Sequence, residues 1–186
     1  MLNNIVGLLA PQVAASTNSY ESIMTANGTG SSGTISFTSI PATYKHLQIR
    51  FLTRSTRSAT SSNIFIGFNS DTTTGNYYGH MIEGNGSAAS ASAKIGTSTS
   101  FMSATSAASN TSGIFSGGVI DVLDYANTNK YKTSRGLSGY DANGSGLLYL
   151  ASGLWMSTAA ISSIQITDPL GNFATNSSFA LYGIKG

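Results

Sequence analysis

The segment Thr34-Ile35-Ser36-Phe37-Thr38-Ser39-Ile40 alternates polar with apolar residues, the period-2 signature of a half-buried strand, and Pro41 ends it. Residues 45–53 repeat the pattern, with Leu47, Ile49 and Phe51 on one face and His46, Gln48 and Arg50 on the other. Further short apolar runs lie at 20–25, 63–69, 76–83, 117–125, 130–140, 147–156, 161–167 and 179–184, punctuated by Gly, Asn, Asp and Ser. Asp141-Ala142-Asn143-Gly144 carries a hairpin turn signal, and Asp168-Pro169-Leu170-Gly171-Asn172 reads as another turn. No segment sustains a helical period for three turns, and 158–161 has room for a single turn only. Eight to ten short strands, about 10–15 residues apart, predict an all-β fold. We expect an antiparallel, jelly-roll-like β-sandwich over residues 20–186, because two packed sheets bury one face of each strand.

Two regions break the pattern. Residues 84–112 are rich in Ala, Ser, Thr and Gly, with Ile95, Phe101 and Met102 as the sizeable apolar residues. They read as a long surface excursion with one weak strand. Residues 1–19 form an apolar N-terminal arm. It has no Lys or Arg ahead of its apolar part, and Pro11 interrupts it, so it makes a poor signal peptide. Leu2, Ile5, Val6, Leu8, Leu9 and Val13 of this extended arm are candidates for an assembly interface.

Composition sharpens this picture. Only 9% of residues are charged, and small polar residues take their place. These residues are expected in turns and at outward strand positions. Disordered chains combine low hydrophobicity with high charge, and the hydrophobic fraction here is 40%. The absence of cysteine removes disulfides, zinc–thiolate sites and thiol catalysis. A net charge of +2 is too small for electrostatic capture of nucleic acid. No apolar run reaches the roughly 20 residues that span a bilayer, and no membrane partner is expected. Lys130, Lys132 and Arg135 around Tyr131 read as the guard of a solvated strand edge. Asn27, Asn85, Asn110, Asn143 and Asn176 each open an Asn-x-Ser/Thr tripeptide, which we read as turn chemistry rather than glycosylation.

Candidate chemistry is sparse. His46 points outward on its strand, and His80 sits in Tyr77-Tyr78-Gly79-His80-Met81, where stacking or core packing is its expected role. Asp121 and Asp124 are three apart on one strand and so face opposite ways. Asp141-Ala142-Asn143-Gly144-Ser145-Gly146 opens like a calcium loop, but Ser152 stands where the bidentate Glu belongs. We therefore expect no enzyme activity, no metal and no cofactor. The aromatic residues keep a binding role open. Tyr77, Tyr78, Tyr131 and Tyr140 are candidates for contact with a glycan or a second subunit, and Tyr125, Tyr149 and Trp155 belong to the same aromatic set.

Three stretches carry a family resemblance: Ser39-Ile40-Pro41-Ala42-Thr43-Tyr44-Lys45-His46-Leu47-Gln48-Ile49-Arg50, Asp121-Val122-Leu123-Asp124-Tyr125-Ala126-Asn127-Thr128-Asn129-Lys130-Tyr131-Lys132, and Gly153-Leu154-Trp155-Met156 with the C-terminal Ser178–Gly186. Together they resemble small virion structural proteins of tailed bacteriophages, those of aquatic and cyanobacterial phages included. The resemblance covers residues 20–186 and brings no catalytic residues with it. It implies a location in the virion, with assembly in the host cytoplasm. The expected function is capsid cement or decoration. The expected partners are further copies of the chain in a homotrimer, the major capsid protein or other virion proteins. The alternative is a tail or fibre adhesin that binds a host surface glycan.

Overall fold

The computed structural model describes residues 19–186; the arm residues Leu2, Ile5, Val6, Leu8, Leu9 and Val13 lie outside the described residues. Twelve strands form, more than the eight to ten expected, and the described residues contain no helix, so 158–161 forms no helical turn. They are β1 (Tyr20–Asn27), β2 (Thr34–Phe37), β3 (His46–Thr53), β4 (Ser61–Phe68), β5 (Tyr77–Gly84), β6 (Ala89–Thr97), β7 (Ser100–Ser106), β8 (Ser116–Leu123), β9 (Lys132–Asp141), β10 (Gly146–Trp155), β11 (Ile164–Thr167) and β12 (Ser178–Ile184). The smaller sheet has the order β2-β11-β4-β7. The larger has the order β1-β12-β3-β8-β9-β10-β5-β6. All pairings are antiparallel.

The first four strands of the larger sheet and the four of the smaller make a complete jelly roll. Two hairpins are inserted into it. The β5–β6 hairpin lies between β4 and β7 in the chain, and the β9–β10 hairpin lies between β8 and β11. Both join the larger sheet beyond β8, so it outgrows its partner. Turn chemistry sets both hairpins. Asn143 and Gly144 adopt φ of 57° and 98° between Ala142 and Ser145, the left-handed pair that a tight hairpin requires. The Asn85 side chain accepts from the Ser87 and Ala88 amides at the other turn. Asn176 likewise takes a positive φ, so the Asn-rich turns behave as the sequence suggests.

Residues 84–112 differ from the expected surface excursion. They contain two strands, and every residue of β7 is buried. The larger sheet curls around β7, which meets β5, β6, β8, β9 and β10. Small residues allow the approach. A Cβ on Gly136 would sit 2.8 Å from the Met102 carbonyl, and one on Gly153 would sit 3.0 Å from the Ser100 hydroxyl. Most hydroxyls buried here find partners, that of Ser100 being the exception. Ser103 donates to Ser138 at 2.7 Å, and Thr53 donates to Thr105 at 2.8 Å. Many small polar residues thus face the interior, not only turns and solvent.

Lys132 departs furthest from expectation. β9 is an interior strand of its sheet, and Lys132 is 1% exposed, so it guards no edge. Its ammonium donates to the carbonyls of Asn127 at 2.7 Å and of Lys130 and Thr158 at 3.0 Å. It ties the loop before β9 to the loop after β10. Arg54 plays the same part elsewhere, donating to the carbonyls of Asn110, Thr111 and Ile114 at 2.8–3.0 Å. Replacing Lys132 by Met keeps the stem but strands these buried carbonyls, which should cost about 2–4 kcal/mol. Urea denaturation of Lys132→Met should show a lowered midpoint with an unchanged m-value; an unchanged midpoint would mean that the ammonium contributes nothing to stability.

Candidate functional site

The four candidate tyrosines do not form one surface. Tyr77 is fully buried, so it contacts neither glycan nor subunit. It stacks on Trp155 and Phe68 with centroids 6.3 Å apart, and its hydroxyl donates to the Asp71 carbonyl. Burial pushes its pKa up to about 12. Trp155 is buried too, and its indole N–H donates to the Asp71 carboxylate at 2.7 Å. Tyr125 is buried, and its hydroxyl donates to the Pro41 carbonyl. Tyr78 is half-buried opposite Leu154, and Tyr131 is exposed in the loop before β9. Tyr140 is at the other end of β9, opposite Leu147. Its hydroxyl lies 3.4 Å from the Thr60 carbonyl. Tyr140 and Tyr149 share a cleft of about 420 Å³ with Glu83, Asn110 and Thr60. Burial and the neighbouring Glu83 hold the Tyr149 hydroxyl protonated to unusually high pH.

The larger surface is the outer face of the eight-stranded sheet. Strand register aligns Ala91, Ile82, Leu150, Leu137 and Val119 in one row across β6, β5, β10, β9 and β8. Three of these large apolar side chains lie in the open: Ile82 is 55%, Leu150 54% and Leu137 50% exposed. Leu148, also exposed, stands beside the row, with Gly139 as its neighbour on β9. Ile82, Ala91 and Leu150 line a shallow depression of about 560 Å³, bordered by His80, Ser152 and Arg135. His80 is exposed here and is not packed in the core.

A polar row runs alongside: His80, Ser152, Arg135, Asp121, Gln48 and Tyr182 occupy successive strands. Its groups satisfy one another. Arg135 pairs with Asp121 at 3.0 Å, Gln48 donates to Asp121 at 2.8 Å, and Arg50 donates to Gln48 at 2.8 Å. The Arg50 guanidinium lies over the rings of Tyr20 and Tyr182, 5.3 and 5.1 Å from their centroids. Asp124 stands apart, in a left-handed turn after β8, and pairs with Lys45 and Lys130. Those two lysines lower its pKa to about 2. The amide of Asp124 donates to His46 Nδ1 at 2.9 Å. Neither His46 nor Asp124 therefore adjoins Asp121 in a shared site.

The sequence pattern placed Leu137, Leu148 and Leu150 on strands, but two leucines at alternate positions read as core until the partner sheet is known. The signal that could have found the surface is the alternation of β10. There Tyr149, Ala151 and Trp155 form one face and Leu148, Leu150 and Leu154 the other, so both faces are apolar. A strand apolar on both faces is covered on both faces or exposes one of them. No family model and no curated protein matches the chain.

The Asp71 carboxyl makes a pH test of this region. Its pKa is held well below the usual carboxylate range, first by the Trp155 indole and then by Asn76 and the Thr73 amide. A carboxyl with a lowered folded-state pKa stabilises fully above its unfolded value, about 4, and loses that contribution as pH falls below it. Stability should therefore decline between about pH 5 and pH 2, read by urea denaturation and the fluorescence of Trp155. Asp71→Asn should be less stable at pH 7 and show a shallower decline; a decline as steep as in the parent protein would assign the acid sensitivity elsewhere.

Proposed function

We propose that the protein is a bacteriophage virion structural protein, a cement or decoration protein that stabilises the head by packing on the capsid surface. The observation that carries this reading is the exposed apolar row on the outer face of the larger sheet. A contiguous apolar patch of this kind marks an association surface. Burying it contributes about 25 cal/mol per Å² before the costs of association. The sequence resemblance to virion proteins supplies the setting. The low charged fraction fits it, since contacts made by neutral side chains depend little on ionic strength, whereas charged contacts are screened.

In this reading the protein has no catalytic task. It acts as an oligomer, with a homotrimer favoured, and its partners are its own copies and the major capsid protein. The apolar residues Leu2, Ile5, Val6, Leu8, Leu9 and Val13 add an arm that grips a neighbour on the particle. Deleting residues 1–15 should abolish incorporation into particles, measured as copy number per virion by quantitative gel or mass spectrometry. A truncated protein that decorates heads at full occupancy would overturn the clamp.

A second reading rests on the cleft at the β9–β10 turn. Tyr140 and Tyr149 stand there beside Glu83, Asn110 and Thr60, which combine ring surface with fixed hydrogen-bonding groups. Such a combination suits a neutral sugar, so the chain would serve as a tail or fibre adhesin. The isolated protein should then bind host envelope polysaccharide, and Tyr140→Ala should weaken binding about tenfold, as loss of about 1.4 kcal/mol would. No binding at millimolar glycan would exclude this reading.

A further inference from the structure

We propose that β6 is the docking edge for a second copy of this chain: two β6 strands pair antiparallel about a two-fold axis at Ala91 and join two eight-stranded sheets into one. A strand at a sheet edge presents unpaired N–H and C=O groups to any other strand, and proteins blunt such edges by shortness, bulges, charges or cover. Three of the four sheet edges are blunted in this way. β2 is four residues long, β7 is wholly buried, and β1 is bulged between Ser22 and Met24. β6 has none of these guards. It is nine residues long, exposed from Ala89 to Ile95, and its register shift lies beyond Lys94. It holds no Pro and one charge, Lys94. Among the described residues its partner strand is β5 alone. Ala89, Ala91 and Ala93 are weak strand formers, so β6 gains from a neighbour on its second side.

Register and charge select the occupant. Ala91 lies beside Ile82 and so ends the apolar row that runs through Leu137, Leu150 and Ile82. Setting Ala91 against Ala91 of the second copy lines the two rows up end to end across the axis. Centring the pair on Ser90 or Ser92 would offset them. With Ala91 at the centre, Ala89 faces Ala93 and Ser90 faces Ser92. Antiparallel order puts the two Lys94 residues at opposite ends, about 20 Å apart along the strands. That exceeds the roughly 10 Å over which exposed charges act through salt. The strand therefore meets its own copy with no like charges face to face, and each outward backbone group finds its complement. This isologous contact is distinct from the three-fold contact favoured on the particle, and there it would join neighbouring trimers. The inference concerns the chain in solution. Its failure leaves the virion reading, which rests on the apolar row, where it stands.

The chain has no cysteine, so introduced thiols report contact without background. In the full-length protein, Ala91→Cys should close a disulfide between chains under mild oxidation, since directly opposite residues of an antiparallel pair have Cα atoms about 5 Å apart. Closure should be about tenfold or more faster than for Ala89→Cys, whose two copies would lie about 14 Å apart along the strands. Combining Ala89→Cys with Ala93→Cys should restore fast closure, because those positions face each other across the axis. Sedimentation of the unmodified chain should show even-numbered species. Ala91→Asp, which sets two carboxylates against each other at the axis, should halve that mass, and Leu170→Asp in an exposed turn should leave it unchanged. Circular dichroism checks that each variant is folded. Equal closure rates for Ala91→Cys and Ala89→Cys would overturn the proposal, as would a sedimenting mass that Ala91→Asp does not change. A slow Ala89→Cys/Ala93→Cys pair would overturn it too, because the partner on β6 would then not be a second β6 in this register.

Discussion

The close approach of β7 to β9 and β10 is the contact on which the rest of the molecule depends. The inserted hairpins make the larger sheet twice as many-stranded as the smaller, and a sheet that extends past its partner leaves its inner face uncovered. β7 prevents this by lying deep in the curl of the larger sheet, where Ser134, Gly136, Ser138, Ala151 and Gly153 leave room for its backbone. Phe101 reaches Tyr149 and Phe65 from this position, with centroids 5.6 and 5.7 Å away. The inner faces of β9 and β10 are thereby closed. Their outer faces have no such cover among the described residues, and Leu137, Leu148 and Leu150 are found there.

This arrangement explains which parts of the fold were legible in the sequence. β2, β3 and β12 bury one face and show the other to solvent, so their alternation is plain in the residues. β7 reads Ser-Phe-Met-Ser-Ala-Thr-Ser, and nothing in those letters says buried. Its Thr105 and Ser103 hydroxyls bond Thr53 and Ser138 on facing strands, a pairing that exists only after folding. Lys132 failed for a related reason. A lysine reads as solvent-facing, and only the convergence of two loops supplies the carbonyls that hold its ammonium inside. Tyr77 lay among adjacent aromatics, yet period-2 alternation sends it inward and Tyr78 outward. The candidate site was half legible: the leucines were visible, but their face was not.

The low charged fraction takes on a double meaning. Small neutral residues allow the sheets to approach closely, and they leave few charges on the outer face, where Arg135 pairs with Asp121 and Arg50 lies over two tyrosine rings. One economy of side-chain size and charge thus shapes both the interior and the outer face.

The central claim is that the row Ile82, Leu150, Leu137 and Val119 is covered in the working protein. High-resolution cryo-electron microscopy of intact particles tests it most directly. The cement reading predicts this jelly roll on the head exterior in hundreds of copies, of the order of the capsid subunits it would cover, with protein density over that row. The same fold at the tail in a few copies, or on the head with the row bare to solvent, would contradict it.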